Sequence, residues 1–165
     1  MKTVLEVFYL RIIDDKLCYL RKQASLDNKR EDPDVLIQSL MQHTLHTSAG
    51  SVKKEFVIHS TSWRYTPPGK VVLTYIAYSD EYDFGRVKMQ KLPLSELRRK
   101  DIAKARPRSR NGLEKLVVAH AMRHLAFLVK TDARGEFDGA LTRKTKKIFE
   151  SLWVSLAGRV ATRKN

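Results

Sequence analysis

The chain has 165 residues, 42% of them hydrophobic, which is enough for a single domain to bury a core. Its net charge is +14, and no stretch approaches the ~18 consecutive apolar residues that a membrane helix needs, so a helical membrane protein is excluded. The single cysteine, Cys18, excludes an intramolecular disulfide and a cysteine-rich zinc site, and reads instead as a small buried hydrophobe.

The N-terminus, MKTVLEVFYLRII, lacks the small-residue cleavage site and unbroken apolar run of a signal peptide, so a cytoplasmic location is expected. Val4 to Ile13 and Leu17 to Arg21 are rich in apolar and β-branched residues, and the intervening Asp14-Asp15-Lys16 supplies turn chemistry, which predicts a β-hairpin. The polar stretch 25–33 reads as a loop. Asp32 and Pro33 then open a helix in which Leu36, Ile37, Leu40 and Met41 recur at helical spacing, and which ends around His46 to Gly50. Glu55 to Tyr65 and Lys70 to Ser79 form two strands joined by Thr66-Pro67-Pro68-Gly69, and a short strand over Arg86 to Leu92 follows.

After Pro93 the pattern changes from strands to helices. Residues 1–85 hold 11 cationic and 11 acidic side chains, against 21 and 7 in residues 86–165, so the whole positive excess lies in the second half. The densest part is SELRRKDIAKARPRSRN (95–111), with Arg98, Arg99, Lys100, Lys104, Arg106, Arg108 and Arg110 as candidate nucleic-acid contacts. This run has no interleaved aromatics, so it also reads as a solvated connection. Asn111 and Glu114 have the spacing of a capping box, starting an apolar helix with Leu113, Leu116, Val117, Met122, Leu125, Leu128 and Val129 in the core. Residues 131–139 break the chain, and Leu141 to Val160 forms a last helix that buries Ile148, Leu152 and Leu156 and opens with Arg143, Lys144, Lys146 and Lys147. One domain over 1–165 is expected, comprising 1–92 with strands and one helix, a basic connection at 93–112, and a helical portion at 113–165.

Few residues are spaced for chemistry. His120 and His124 share a helix face but lack the glutamate of an HExxH metal site, and Asp132, Glu136 and Asp138 do not fit a calcium loop, so no metal or cofactor is expected. The strand segment HSTSWRY (59–65) is unusually polar. Alternation places Ser60, Ser62 and Arg64 on one side, a row of donors suited to an anion, with His59, Thr61, Trp63 and Tyr65 on the other. A serine–histidine nucleophile pair is thereby disfavoured. Trp63 would stack on a flat ligand or anchor the core, and Arg123 is a further anion candidate.

The order hairpin, helix and two long strands, with EVFYLRIIDDKLCYLRKQ and the VVLTYIAY run, resembles the first two thirds of a Nudix hydrolase domain over residues 4–92. That resemblance implies a sandwich of sheet and helices acting on nucleoside diphosphate derivatives with magnesium. The family's signature places several glutamates on one helix, whereas the helix here, DPDVLIQSLMQHTL, has none, so no catalytic residue carries over. HSTSWRY and AMRHLAFL also resemble segments of uncharacterised bacterial proteins, which implies no activity. The expectation is an α+β domain with a mixed or antiparallel sheet, packed helices and a basic helical C-terminal portion. In function it is a non-catalytic protein binding a nucleotide or nucleic acid. The alternatives are a divergent hydrolase drawing on Asp80, Glu81 and Asp83, or an assembly protein docking on an acidic protein partner.

Overall fold

A computed structural model describes residues 2–26, 32–46, 48, 50, 52, 55–85, 87–97, 110–132, 137 and 141–156, with backbone alone at 110, 111 and 153–156. The described residues form an α+β fold, a five-stranded mixed sheet with helices on both faces. The strands are β1 (Lys2–Ile13), β2 (Lys16–Leu26), β3 (Val57–Thr66), β4 (Lys70–Tyr78) and β5 (Gln90–Pro93). The helices are α1 (Pro33–Leu45), the short α2 (Leu94–Leu97), α3 (Arg110–Thr131) and α4 (Arg143–Leu156). No described helix is long and apolar enough to cross a membrane.

The sheet runs β3-β4-β1-β2-β5, with β1 and β4 parallel and the other pairs antiparallel. The β1–β2 turn is as tight as a hairpin allows. Asp14 and Asp15 both have positive φ, 47° and 56°, the backbone that matches the right-handed twist of the flanking strands. The β3–β4 turn uses Gly69 at φ 66°, the left-handed region in which a side chain would be strained.

β1 is buried on both sides. Phe8 and Leu10 join Tyr19, Ile76, Tyr78, Leu92 and the helices α2, α3 and α4 in one core, while Leu5, Val7 and Tyr9 join Tyr75, Ala77 and Ile37, Met41 and Leu45 of α1 in a second. α1 begins as its sequence predicts, with the Asp32 side chain accepting from the Asp34 amide and Pro33 in the first turn. α4 is docked by Asp80, which accepts from the Tyr78 hydroxyl at 2.7 Å, the Thr142 amide at 2.6 Å and the Thr145 hydroxyl at 2.7 Å. Burial first, and then the Asp80 charge, drives the Tyr78 hydroxyl well above the ordinary tyrosine range.

Several boundaries differ from expectation. β2 runs on to Leu26 because it stays paired with β1 as far as Thr3. The strand expected at 86–92 begins only at Gln90, where β2 residues Lys16 to Tyr19 offer a partner, and α2 follows it. α3 starts at Arg110, so Asn111 lies within it rather than before it. Leu113, expected in the core, is 39% exposed, because the close contacts of α3 are made by Val118, Ala119, Ala121, Met122, Leu125 and Ala126. Among the last helix's expected core residues, Leu152 is buried, and Phe149 joins it against Tyr78 with ring centroids 5.2 Å apart. Phe149→Ala removes a fully buried ring and is expected to destabilise the fold by about 3–5 kcal/mol in chemical denaturation.

Candidate functional site

Glu6 occupies the middle of the central strand, is 0% exposed and points to the α3 face of the sheet. Four side chains on neighbouring strands converge on it. One carboxylate oxygen accepts from the Arg64 guanidinium in an ion pair and from the Thr74 hydroxyl at 2.8 Å, and the other accepts from Arg21 Nε at 2.8 Å and Gln23 at 3.3 Å. Arg21 then reaches Glu114 of α3 at 2.7 Å, and Gln90 ties Glu114 to the Tyr19 hydroxyl. Burial would push the Glu6 carboxyl up, but hydrogen bonds from Arg64 and Thr74 and the charges of Arg64 and Arg21 outweigh it, so it lies below the ordinary range.

These side chains border a hollow of about 340 Å³ between the end of the sheet and the first turns of α3, with Glu6, Arg21, Arg64, Lys70, Glu114 and Val117 among its walls. A volume of that size lies within the ~300–1,000 Å³ of small-ligand sites. A second hollow of about 280 Å³ adjoins it across Arg21 and Glu114, along the part of β2 that β5 leaves unpaired, and adds Lys22 and Lys88. The two together present five cations against two carboxylates.

The donor row expected on HSTSWRY is divided. A register shift between Ser60 and Ser62 marks a β-bulge at Thr61, so Ser60 pairs with Tyr75 while Ser62 pairs with Thr74. Ser62 and Arg64 therefore share the α3 face with His59, whose ring meets that of His124 at 4.9 Å. Ser60 faces the α1 side with Trp63 and Tyr65. There it borders a separate cleft of about 350 Å³ with Asp34, Gln38 and Tyr75, whose hydroxyl donates to Asp34 at 3.0 Å. Ser62 and His59 share a face, yet no hydrogen bond joins them among the described residues. Trp63 is 71% exposed and Tyr65 56%, so neither anchors the core.

The bulge also ties the sheet to α3. His124 Nδ1 donates to the Thr61 carbonyl at 3.2 Å, since a carbonyl only accepts, and the Thr61 hydroxyl donates to the Thr74 carbonyl at 3.3 Å. His120 lies 6.5 Å from His124 between ring centroids. Burial, and then His124, lowers His59 from the ordinary range, and burial, His124 and Arg123 lower His120. Among the described residues, no group of three His, Cys, Asp or Glu is placed to hold a metal ion. Asp83 accepts from the Gly85 amide at 2.9 Å and Asp132 from the Phe137 amide at 2.9 Å; Glu136 and Asp138 lie outside the described residues. The run Arg98, Arg99, Lys100, Lys104, Arg106 and Arg108 also lies outside them, and Arg110 enters as the first residue of α3.

Reading strands singly singled out Arg64 but missed Glu6, Arg21, Thr74 and Glu114. Glu6 carries a faint signal, a lone acid within the apolar run VLEVFYL. Neither the family models nor the curated proteins include a match to this chain.

Glu6→Gln is expected to cost about 3–5 kcal/mol at neutral pH, because it leaves the inward Arg64 guanidinium without its counter-charge and Arg21 with Glu114 alone. The folded carboxyl titrates below its unfolded value of 4.5, so its contribution is complete above that pH and is lost as pH falls through the folded value. Denaturation midpoints measured from pH 7 to pH 3 should therefore fall more gently in Glu6→Gln than in the wild type below about pH 4.5.

Proposed function

We propose that the protein is a non-catalytic, Nudix-like binding protein that takes a phosphate-bearing partner, a nucleotide or a nucleic acid, in the hollow between the sheet end and α3. The observation that carries this reading is the pair Arg21 and Arg64, two guanidiniums held at a hollow of about 340 Å³ by one buried carboxylate. Arg64 spends only one terminal nitrogen on Glu6 and Thr74, which leaves Nε and the other terminal nitrogen for a ligand. A guanidinium braced on one side and open on the other suits the bidentate geometry of phosphate. Lys70, Lys22 and Lys88 on the rims add charge without specificity. The sequence sets the run Arg98 to Arg110 immediately ahead of the α3 turns that form one wall, a source of long-range attraction. The hydrolase alternative would draw on Asp80, Glu81 and Asp83, and Asp80 already accepts three hydrogen bonds in docking α4.

The test is a fluorescence-anisotropy titration of a labelled oligonucleotide at several salt concentrations, with a mononucleotide as competitor. Arg64→Ala is expected to weaken binding roughly ten- to hundredfold, the range of a charge-assisted hydrogen bond. Because that change also touches the Glu6 network, Lys70→Ala on the half-buried rim serves as a second variant and should make the salt slope shallower by about 0.7–0.9. Wild-type affinity and slope in both variants would remove the hollow as the binding site.

A further inference from the structure

The two edges of the sheet are finished differently. On β3 the bulge breaks the ladder, and His124 of α3 takes the Thr61 carbonyl. On β2 the register with β1 runs unbroken from Lys16 opposite Ile13 to Leu26 opposite Thr3, whereas β5 covers only Lys16 to Tyr19. Residues 20–26 are therefore a regular strand with one side unpaired in the described sheet, about 23 Å long at the ordinary rise of a strand. Ile13 and Lys16 flank a two-residue turn with both central residues at positive φ, and such a pair exchanges both of its hydrogen bonds. Counting in twos from there, Leu17, Tyr19, Arg21, Gln23 and Ser25 turn amide and carbonyl away from β1. Leu17 and Tyr19 meet Leu92 and Gln90 of β5, while Arg21, Gln23 and Ser25 have no strand beside them among the described residues.

The hollow of about 280 Å³ follows this edge. Tyr19, Arg21 and Gln23 stand opposite Leu10, Phe8 and Glu6 on the α3 face, while Leu20 and Lys22 stand opposite Tyr9 and Val7 of the α1 core. All five border the same hollow, and what the two faces share is the edge of the strand. Lys88, Gln90 and Glu114 complete its walls, so three cations meet one carboxylate, and Lys22 and Lys88 are exposed. A second copy of this chain would bring the same cations to the same edge, at the cost of like-charge repulsion. An acidic strand would find opposite charges instead.

We infer that residues 20–26 of β2 are a docking edge for an extended acidic segment of a partner protein, which adds to the sheet as a further strand in line with β5. Ladder hydrogen bonds to Arg21, Gln23 and Ser25 supply affinity, and Lys22 and Lys88 select for acidic side chains. The inference goes beyond the phosphate reading and does not depend on it, although both draw on Lys22 and Lys88.

The probe is a labelled seven-residue peptide alternating glutamate with valine, titrated by fluorescence anisotropy. Beside it run a peptide with lysine in place of glutamate, and one of the same length and glutamate count with two adjacent prolines at its centre. The alternating peptide should bind the wild type and the lysine peptide should not. The two prolines should weaken binding about tenfold or more, since they remove two ladder donors. Ser25→Pro takes an outward amide from the edge without altering a charge, which an edge strand tolerates, and should weaken the peptide about three- to tenfold. Lys22→Glu, at an exposed position, should weaken it about fivefold. Thermal melts confirm which variants fold. A proline-interrupted peptide that binds as tightly as the alternating one, or wild-type affinity in the folded variants, overturns strand addition at this edge. An alternating peptide that does not bind overturns it as well, and an oligonucleotide that binds where the peptide does not assigns these cations to the phosphate hollow alone.

Discussion

A carboxylate buried at the centre of a sheet is costly to desolvate, by several kcal/mol, unless charges and hydrogen bonds gather round it. Glu6 is such a group, and the way its cost is offset shapes one end of the molecule. Arg64 from β3, Thr74 from β4 and Arg21 and Gln23 from β2 all turn inward to it, so the registers of four strands meet at one side chain. Arg21 continues to Glu114, which sets where the first turns of α3 lie against the sheet. Polar side chains standing upright cannot close-pack as Met122, Leu125 and Phe149 do further along, and the hollow is the space this mismatch leaves.

The sheet serves two cores, and the edge strand β3 reconciles their demands through its bulge. Without the extra residue at Thr61, Ser60 would stand in line with Ser62 and Arg64, and His59 would face α1. With it, the strand presents His59, Ser62 and Arg64 to α3 and keeps Ile58, Ser60, Trp63 and Tyr65 on the other side. Thr61 turns its carbonyl to His124 and its hydroxyl to the Thr74 carbonyl, so both of these carbonyls at the bulge have side-chain partners. The outcome is a polarised domain. The α3 side gathers cations around a hollow, while the cleft on the α1 side is bordered by Asp34, Gln38, His59 and Ser60, with no lysine or arginine in its walls among the described residues.

Elements whose formation depends on neighbouring residues were legible in the chain: the hairpin around Asp14 and Asp15, α1 behind Asp32 and Pro33, and the β3–β4 pair around Gly69. Turn and cap chemistry act over a few residues, and alternation marks a strand without knowing its partner. Arg64 and Arg123 stood out in the chain because a guanidinium among small polar residues or within an apolar helix is conspicuous locally, and the structure sets Arg64 at the hollow. The sequence by itself thus determined the α+β class, the order of the main elements and the concentration of positive charge in the second half. Only the tertiary structure decided which residues come together at the hollow. Glu6 lies 58 residues from Arg64 and 15 from Arg21, and the bulge that divides HSTSWRY exists only in its pairing with β4. A strand's period of two assigns faces only while the ladder is unbroken, and a buried charge is understood only from partners brought to it across the sheet.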